Sequence, residues 1–197
     1  MNYLAHLHIA EHCSSSLAGN LLGDFVKGDP SKQFNSEFAT GIKLHRFVDS
    51  YTDSHPIAKE SKQLFPTSTR RFAPIALDVF WDHYLAKNWS RYHDKGLGDF
   101  CGSAHQTIDQ ELKEDWPERF KLVHRSMWEH NWLESYKNVS SIELVLERMA
   151  KRRPRLAPLE QCYLTLERHY DLLQGSFTAI YPDILEKARQ FQRQNSA

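Results

Sequence analysis

The stretch "GIKLHRFVDSYTDSHP", residues 41–56, carries apolar side chains at Ile42, Leu44, Phe47, Val48 and Tyr51. Those three- and four-residue intervals are the period of an α-helix, and the pattern predicts one from Asn35 or Ser36 to about Asp53, with Gly41 tolerated inside at some cost. One row of this helix changes character half-way. It begins with Phe38 and Ile42, and continues at the same spacing as His45, Asp49 and then Asp53. An imidazole and a carboxylate one turn apart can grip a single divalent ion.

Working outward, apolar residues elsewhere keep the same intervals and no long tract alternates with period two, so the expected fold class is an all-α helical bundle. The breaks are "GDPSKQ" (28–33), "SHPIA" (54–58), "HDKGLG" (93–98) and "RRPRLAP" (152–158), where Gly and Pro oppose continued helix. Between them the reading places helices at roughly 15–27, 73–88, 99–114, 117–136, 140–150, 156–174 and 182–194. His6 and His8, in "LAHLHIA", fit a short extended entry or an early helical turn.

The chain has 197 residues, a length that suits one domain spanning 1–197 with a substantial apolar core. Lys plus Arg equals Asp plus Glu at 25 each, so net charge does not announce a nucleic-acid binder, and any basic patch must be local. Eleven histidines outnumber eight glycines, an excess that suits metal ligation or proton transfer. Cys13, Cys101 and Cys162 are widely separated with no CxxC spacing and read as reduced thiols. The start lacks a secretory pattern and no run approaches ~18 apolar residues, so a cytoplasmic protein with no membrane partner is expected.

The third helix poses the sharper problem. Ile75, Leu77, Val79, Phe80, Trp81, Tyr84 and Leu85 surround Asp78 and Asp82 almost completely. Burying an unpaired carboxylate is expensive, and two at i and i+4 repel, so a cation, a basic group or a proton should accompany them. His83 adds a possible nitrogen ligand, and Asp24 on the first helix sits among Leu21, Leu22, Phe25 and Val26. Each acid, taken singly, also fits a structural salt bridge or hydrogen bond, with Arg46 an available partner. Trp81, Trp89, Trp116, Trp128 and Trp132 suit core packing.

Together with "MNYLAHLHIA" at the start, "GNLLGDFVKG" (19–28), "RRFAPIALDVFWDHYLAKNW" (70–89) and "MAKRRPRL" (149–156), the opening stretch resembles the acyl carrier protein phosphodiesterases over nearly the whole chain. The resemblance implies a divergent, HD-domain-like helical hydrolase that uses a divalent metal, typically Mn2+ with Mg2+ as an alternative. Its reaction removes the 4′-phosphopantetheine arm from acyl carrier protein. Ordinary HD enzymes carry a His-Asp doublet, whereas this chain has the reverse, Asp82 followed by His83.

On family-matching positions the resemblance implies metal ligands among Asp24, His45, Asp49, Asp82 and His83, with Asp78 a further ligand or the group that orients one. His6 or Asp53 would relay a proton, and Arg46 would hold a phosphate oxygen or pair with a neighbouring acid. The carrier is acidic, so cations should flank the pocket. Arg70 and Arg71, and the cluster Lys151, Arg152, Arg153 and Arg155, are the candidates, against the plainer role of basic groups at a helix end. Two other functions stay open: an HD-type nucleotide or small-molecule phosphohydrolase, and a non-catalytic carrier-protein binder.

Overall fold

Leu4 to Ala10 are all buried, a run of seven with no exposed face. They form helix α1, Tyr3–His12. An early turn or extended entry was expected there; the continuous helix shows no amphipathic period because it lies in the interior with neighbours on every side. Residues 1–195 are described by a computed structural model, and among them are eleven α-helices and no strand.

After α1 come α2 (Leu17–Leu22), capped by the Ser16 side chain accepting from Gly19 N–H, and α3 (Ser36–Ser54), capped by Asn35 accepting from Phe38 N–H. The helix expected at 15–27 ends early, at Leu22, and Asp24 falls in the turn that follows. Pro56 then starts α4 (Pro56–Gln63), with His55 as the single residue between two helices. The second buried rod is α5 (Ala73–Lys87), in which every residue from Val79 to Ala86 is buried. It packs beside α1.

The remaining helices wrap this pair. They are α6 (Leu97–Glu111), α7 (Glu118–Glu129), α8 (Trp132–Ser135), α9 (Ser140–Arg152), α10 (Cys162–Arg168) and α11 (Tyr170–Asn195). The expected helix at 117–136 is split because Asn131 adopts φ 49°, a left-handed conformation that asparagine tolerates better than most residues. The expected pair at 156–174 and 182–194 is redistributed in the opposite sense. A 3-10 turn covers Pro154–Leu159, and α11 runs unbroken through Pro182. Proline forfeits one hydrogen bond there, but buried Phe177, Ile180, Tyr181 and Ile184 hold both halves against the core.

Helices α2 and α3 approach each other closely. A Cβ on Gly19 would stand 2.8 Å from the Phe38 carbonyl oxygen, and one on Gly41 would stand 2.9 Å from Gly19 Cα. Both obstacles are backbone, which cannot rotate away. Alanine in a helix normally gains about 1 kcal/mol over glycine, but overpacking costs about 1–3 kcal/mol. Gly19→Ala and Gly41→Ala are therefore expected to lower Tm, read by thermal circular dichroism, and a raised Tm would contradict this packing.

Candidate metal centre

His6 lies on the face of α1 that meets α3, and His45 and Asp49 lie one turn apart on α3. His6 Nε2 is 3.0 Å from Asp49 Oδ1, and His45 Nε2 is 3.2 Å from Asp49 Oδ2. The two imidazoles stack with centroids 3.8 Å apart and planes 19° from parallel, so both nitrogens converge on one carboxylate. One ligand atom from each of His6, His45 and Asp49 falls within 4.8 Å of the others.

Asp24 joins from the turn after α2, its Oδ1 3.5 Å from His45 Nε2. Two local features bring it there. Gly23 lets the chain pass against the imidazole, since a Cβ at that position would lie 2.3 Å from His45 Cγ. Arg46 then donates to the carbonyls of Val26 and Gly28, both at 2.7 Å, and ties the 26–28 turn to α3.

The electrostatics are those of a site that favours positive charge. Burial lowers the basicity of His45, but hydrogen bonds to Asp24 and Asp49 outweigh it and raise its pKa to about 9. His6, fully enclosed and beside the His45 charge, is pushed down to about 4. Burial raises Asp49 and Asp24, yet the imidazole hydrogen bonds dominate and hold both carboxyls below their usual range, Asp49 far below. The Nδ1 atoms of His6 and His45 are buried without a hydrogen-bond partner, so protein atoms alone do not satisfy either ring. Two imidazoles with one or two carboxylates form a donor set that suits a divalent ion.

The other sequence candidates are placed differently. Asp82 is fully buried, and its two oxygens accept from Leu4 N–H at 2.8 Å and Ala5 N–H at 3.1 Å, closing the start of α1. Burial pushes its pKa up to about 7 against the pull of those two donors. His83, expected as a ligand, has its Nδ1 2.7 Å from the Tyr136 carbonyl and its Nε2 2.7 Å from the Tyr170 hydroxyl. Both its nitrogens are spent on α5's neighbours. Arg46 is committed to backbone carbonyls rather than facing a phosphate, and Asp53 is exposed and paired with Lys62 at 2.8 Å. Asp78 accepts from the Met1 amino group at 2.8 Å, and the same group is 3.5 Å from Asp49.

The acids are also less enclosed than apolar flanks implied. Side-chain exposure is 52% at Asp24, 39% at Asp49 and 34% at Asp78, so carboxylates that reach solvent stand over imidazoles that are buried. Of the expected docking cations, Arg70 donates Nε to the Phe65 carbonyl at 3.1 Å and Arg71 sits over the Phe72 ring at 4.6 Å. Lys151 pairs with Glu147 at 3.2 Å, while Arg152, Arg153 and Arg155 are exposed.

A second group with ligand atoms within 4.8 Å of one another, His105, Asp109 and His124, lies between α6 and α7. The His–Asp spacing of four residues in "HQTID" was its only mark in the sequence.

The family model for acyl carrier protein phosphodiesterase matches residues 1–184. The chain belongs to this family. It is 42% identical over 193 residues to the acyl carrier protein phosphodiesterase of an Enterobacter species, covering 98% of this chain and all of that one. It is equally similar, at 42% over 189 residues, to the protein of that name from Escherichia coli, covering 95% and 97% of the two chains. The Klebsiella pneumoniae phosphodiesterase matches at 42% over 193 residues, 98% of this chain and all of the relative. No solved structure matches the chain. Membership of a phosphodiesterase family makes the chain a hydrolase.

The charge pattern has a measurable sign. His45 is raised above its ordinary 6.5, so its contribution to the stability of metal-free protein is complete below about 6.5 and is lost as pH climbs through about 9. In histidine NMR of chelated protein, one buried imidazole should titrate near 9 and another stay neutral down to about 4. Zn2+ should abolish the upper titration, because a ligating nitrogen surrenders its proton. Persistence of that titration in excess Zn2+ would remove His45 from the ligand set. Asp82→Asn, which removes one of the two acceptors at the start of α1, should lower Tm by the equivalent of about 1 kcal/mol, read by thermal circular dichroism; an unchanged Tm would contradict the cap.

Proposed function

We propose that this chain hydrolyses the phosphodiester joining 4′-phosphopantetheine to the serine of holo-acyl carrier protein, releasing the apo carrier and 4′-phosphopantetheine. The observation that carries the reading is the convergence of His6, His45 and Asp49, from two helices, in a chain that matches phosphodiesterases over almost its full length. The reading places the enzyme in the cytoplasm as one helical domain and retains the distant kinship with HD hydrolases. It favours catalysis over the non-catalytic alternative because relatives matching nearly the whole chain bear the name of a phosphodiesterase.

In this scheme His6, His45 and Asp49 would hold a divalent ion, Mn2+ or Mg2+, and Asp24 would complete the set from the turn after α2. Such an ion supplies Lewis acidity at the phosphoryl oxygens and a water of lowered pKa. The residues do the rest. His45 gives up its proton on loading, and the stacked His6 ring keeps its partner from turning. Gly23 and Arg46 fix Asp24, so Arg46 is a positioning residue rather than a phosphate ligand. Asp78, raised by burial and one-third exposed at the cleft, can carry a proton towards the departing serine alkoxide. His83 and Asp53 take no part.

The deciding experiment is incubation with holo-acyl carrier protein, with and without Mn2+, followed by intact-mass measurement. Loss of the arm only with metal is expected; an unchanged mass under both conditions would sink the proposal. Asp49→Asn and His45→Gln should lower kcat by about 10²-fold or more, while His83→Gln should retain most activity. Gly23→Ala, which drives a methyl into the His45 ring, should weaken metal binding by about 10–100-fold, as read by calorimetric titration.

A further inference from the structure

Helix α9 has two different faces. Ile142, Leu146 and Ala150 point into the core, while Ser141, Leu144, Val145, Arg148, Met149 and Arg152, again three and four apart, form a second stripe in which Val145 and Met149 are half-buried against the core and Leu144, Arg148 and Arg152 are exposed. This stripe lines one side of a cavity of about 310 Å³, near the lower end of small-molecule sites at about 300–1,000 Å³. Trp132 and Tyr136, from α8 and its end, and Tyr3 from α1 form the other side. The walls are mainly apolar, and Arg148 and Arg152, both exposed, stand one turn apart.

Tyr3 connects this cavity to the centre. It lies three residues before His6 on α1, and side chains at that spacing are neighbours on one helix face, about 5–6 Å apart at Cβ. The slot therefore opens one helical turn from the imidazole that meets Asp49. The wall that Tyr3 shares with Tyr136 is anchored, since Asn2 donates to the Tyr136 hydroxyl at 3.1 Å.

We propose that the slot between α8 and α9 receives the distal pantetheine arm of the carrier-protein substrate, including the thiol or acyl group at its end, while the phosphate lies at the imidazole–carboxylate cleft. This rests on the phosphodiesterase reading above. The arm is a flexible chain of amides and methylenes ending in an apolar group, which matches mainly apolar walls with the hydroxyls of Tyr3, Ser135 and Ser141 among them. The anionic carrier that bears the arm stays outside, where Arg148 and Arg152 provide the opposite charge. Arg152 thus serves at the slot mouth instead of in a general basic cluster, and Trp132 becomes a wall of the site.

The test is the ratio of kcat/KM for holo-acyl carrier protein to that for bis(4-nitrophenyl) phosphate, which has no arm. Val145→Trp fills the slot, and Leu144→Trp adds bulk at an exposed mouth position, so that at least one variant folds. The ratio is expected to fall about tenfold or more in a variant that keeps its helical circular dichroism; an unchanged ratio overturns the slot. Pantetheine, which lacks the phosphate, should raise the Tm of the parent protein and not of the variants. Absence of that shift in the parent also counts against the slot. If the parent leaves holo carrier intact yet pantetheine stabilises it and not the variants, the slot stands and the phosphodiesterase reading fails.

Discussion

The buried carboxylate of Asp82 at the start of α1 is the contact on which the centre depends. A helix enclosed on all sides must still satisfy its first amide hydrogens, and water cannot reach them. Asp82 supplies acceptors from α5 for two of them, at Leu4 and Ala5. The arrangement is reciprocal, because those donors and the helix N-terminus make a fully buried carboxylate tolerable. It also sets the axial position of α1. With Leu4 pinned to α5, His6 arrives on Asp49 and Tyr3 on the wall of the slot. One helix thereby supplies both the imidazole that meets Asp49 and a side chain that lines the cavity beside α9.

Around this contact the centre is assembled from close approaches that only small residues allow. Gly19 and Gly41 let α2 settle onto α3, and Gly23 lets the following turn pass across the His45 ring. Asp24 consequently reaches the same His45 nitrogen that faces Asp49. The acids remain half-open to solvent while the imidazoles beneath them are closed off. That division suits an ester attached to a protein too large to enter a cavity: the reacting group can reach the cleft without the carrier following it.

Much of this was legible in the sequence where local chemistry decides. Asn35 as a cap and the His55–Pro56 junction delimit α3 within a residue or so of expectation, and the apolar surround of α5 marks it as interior. His45 and Asp49 announced themselves by their one-turn spacing on an otherwise apolar row. Where tertiary packing decides, the sequence was mute or misleading. Leu4 to Ala10 of helix α1 show no period because every residue of that run is buried, and α2 stops at Leu22 although Phe25 and Val26 continue its pattern. The partner of Asp82 lies 78 residues away, so nothing near "WDHY" distinguishes a cap from a ligand. His83 looked like a ligand for the same reason, and its partners Tyr136 and Tyr170 are equally remote. The slot was hidden differently, in a stripe on α9 that reads as ordinary surface until Tyr3 is brought beside it.

The span of α11 has a consequence for biosynthesis. This helix is 26 residues long, about 39 Å at 1.5 Å per residue, and it packs against α1, α3, α4 and α5. Those partners leave the ribosome well before it does. Contacts joining such distant parts of a chain carry a large loop-closure cost and slow the search for the native topology. The segments bearing the imidazoles must therefore wait, with apolar surface uncovered, until the final helix has been translated, which makes the nascent protein a natural client for chaperones.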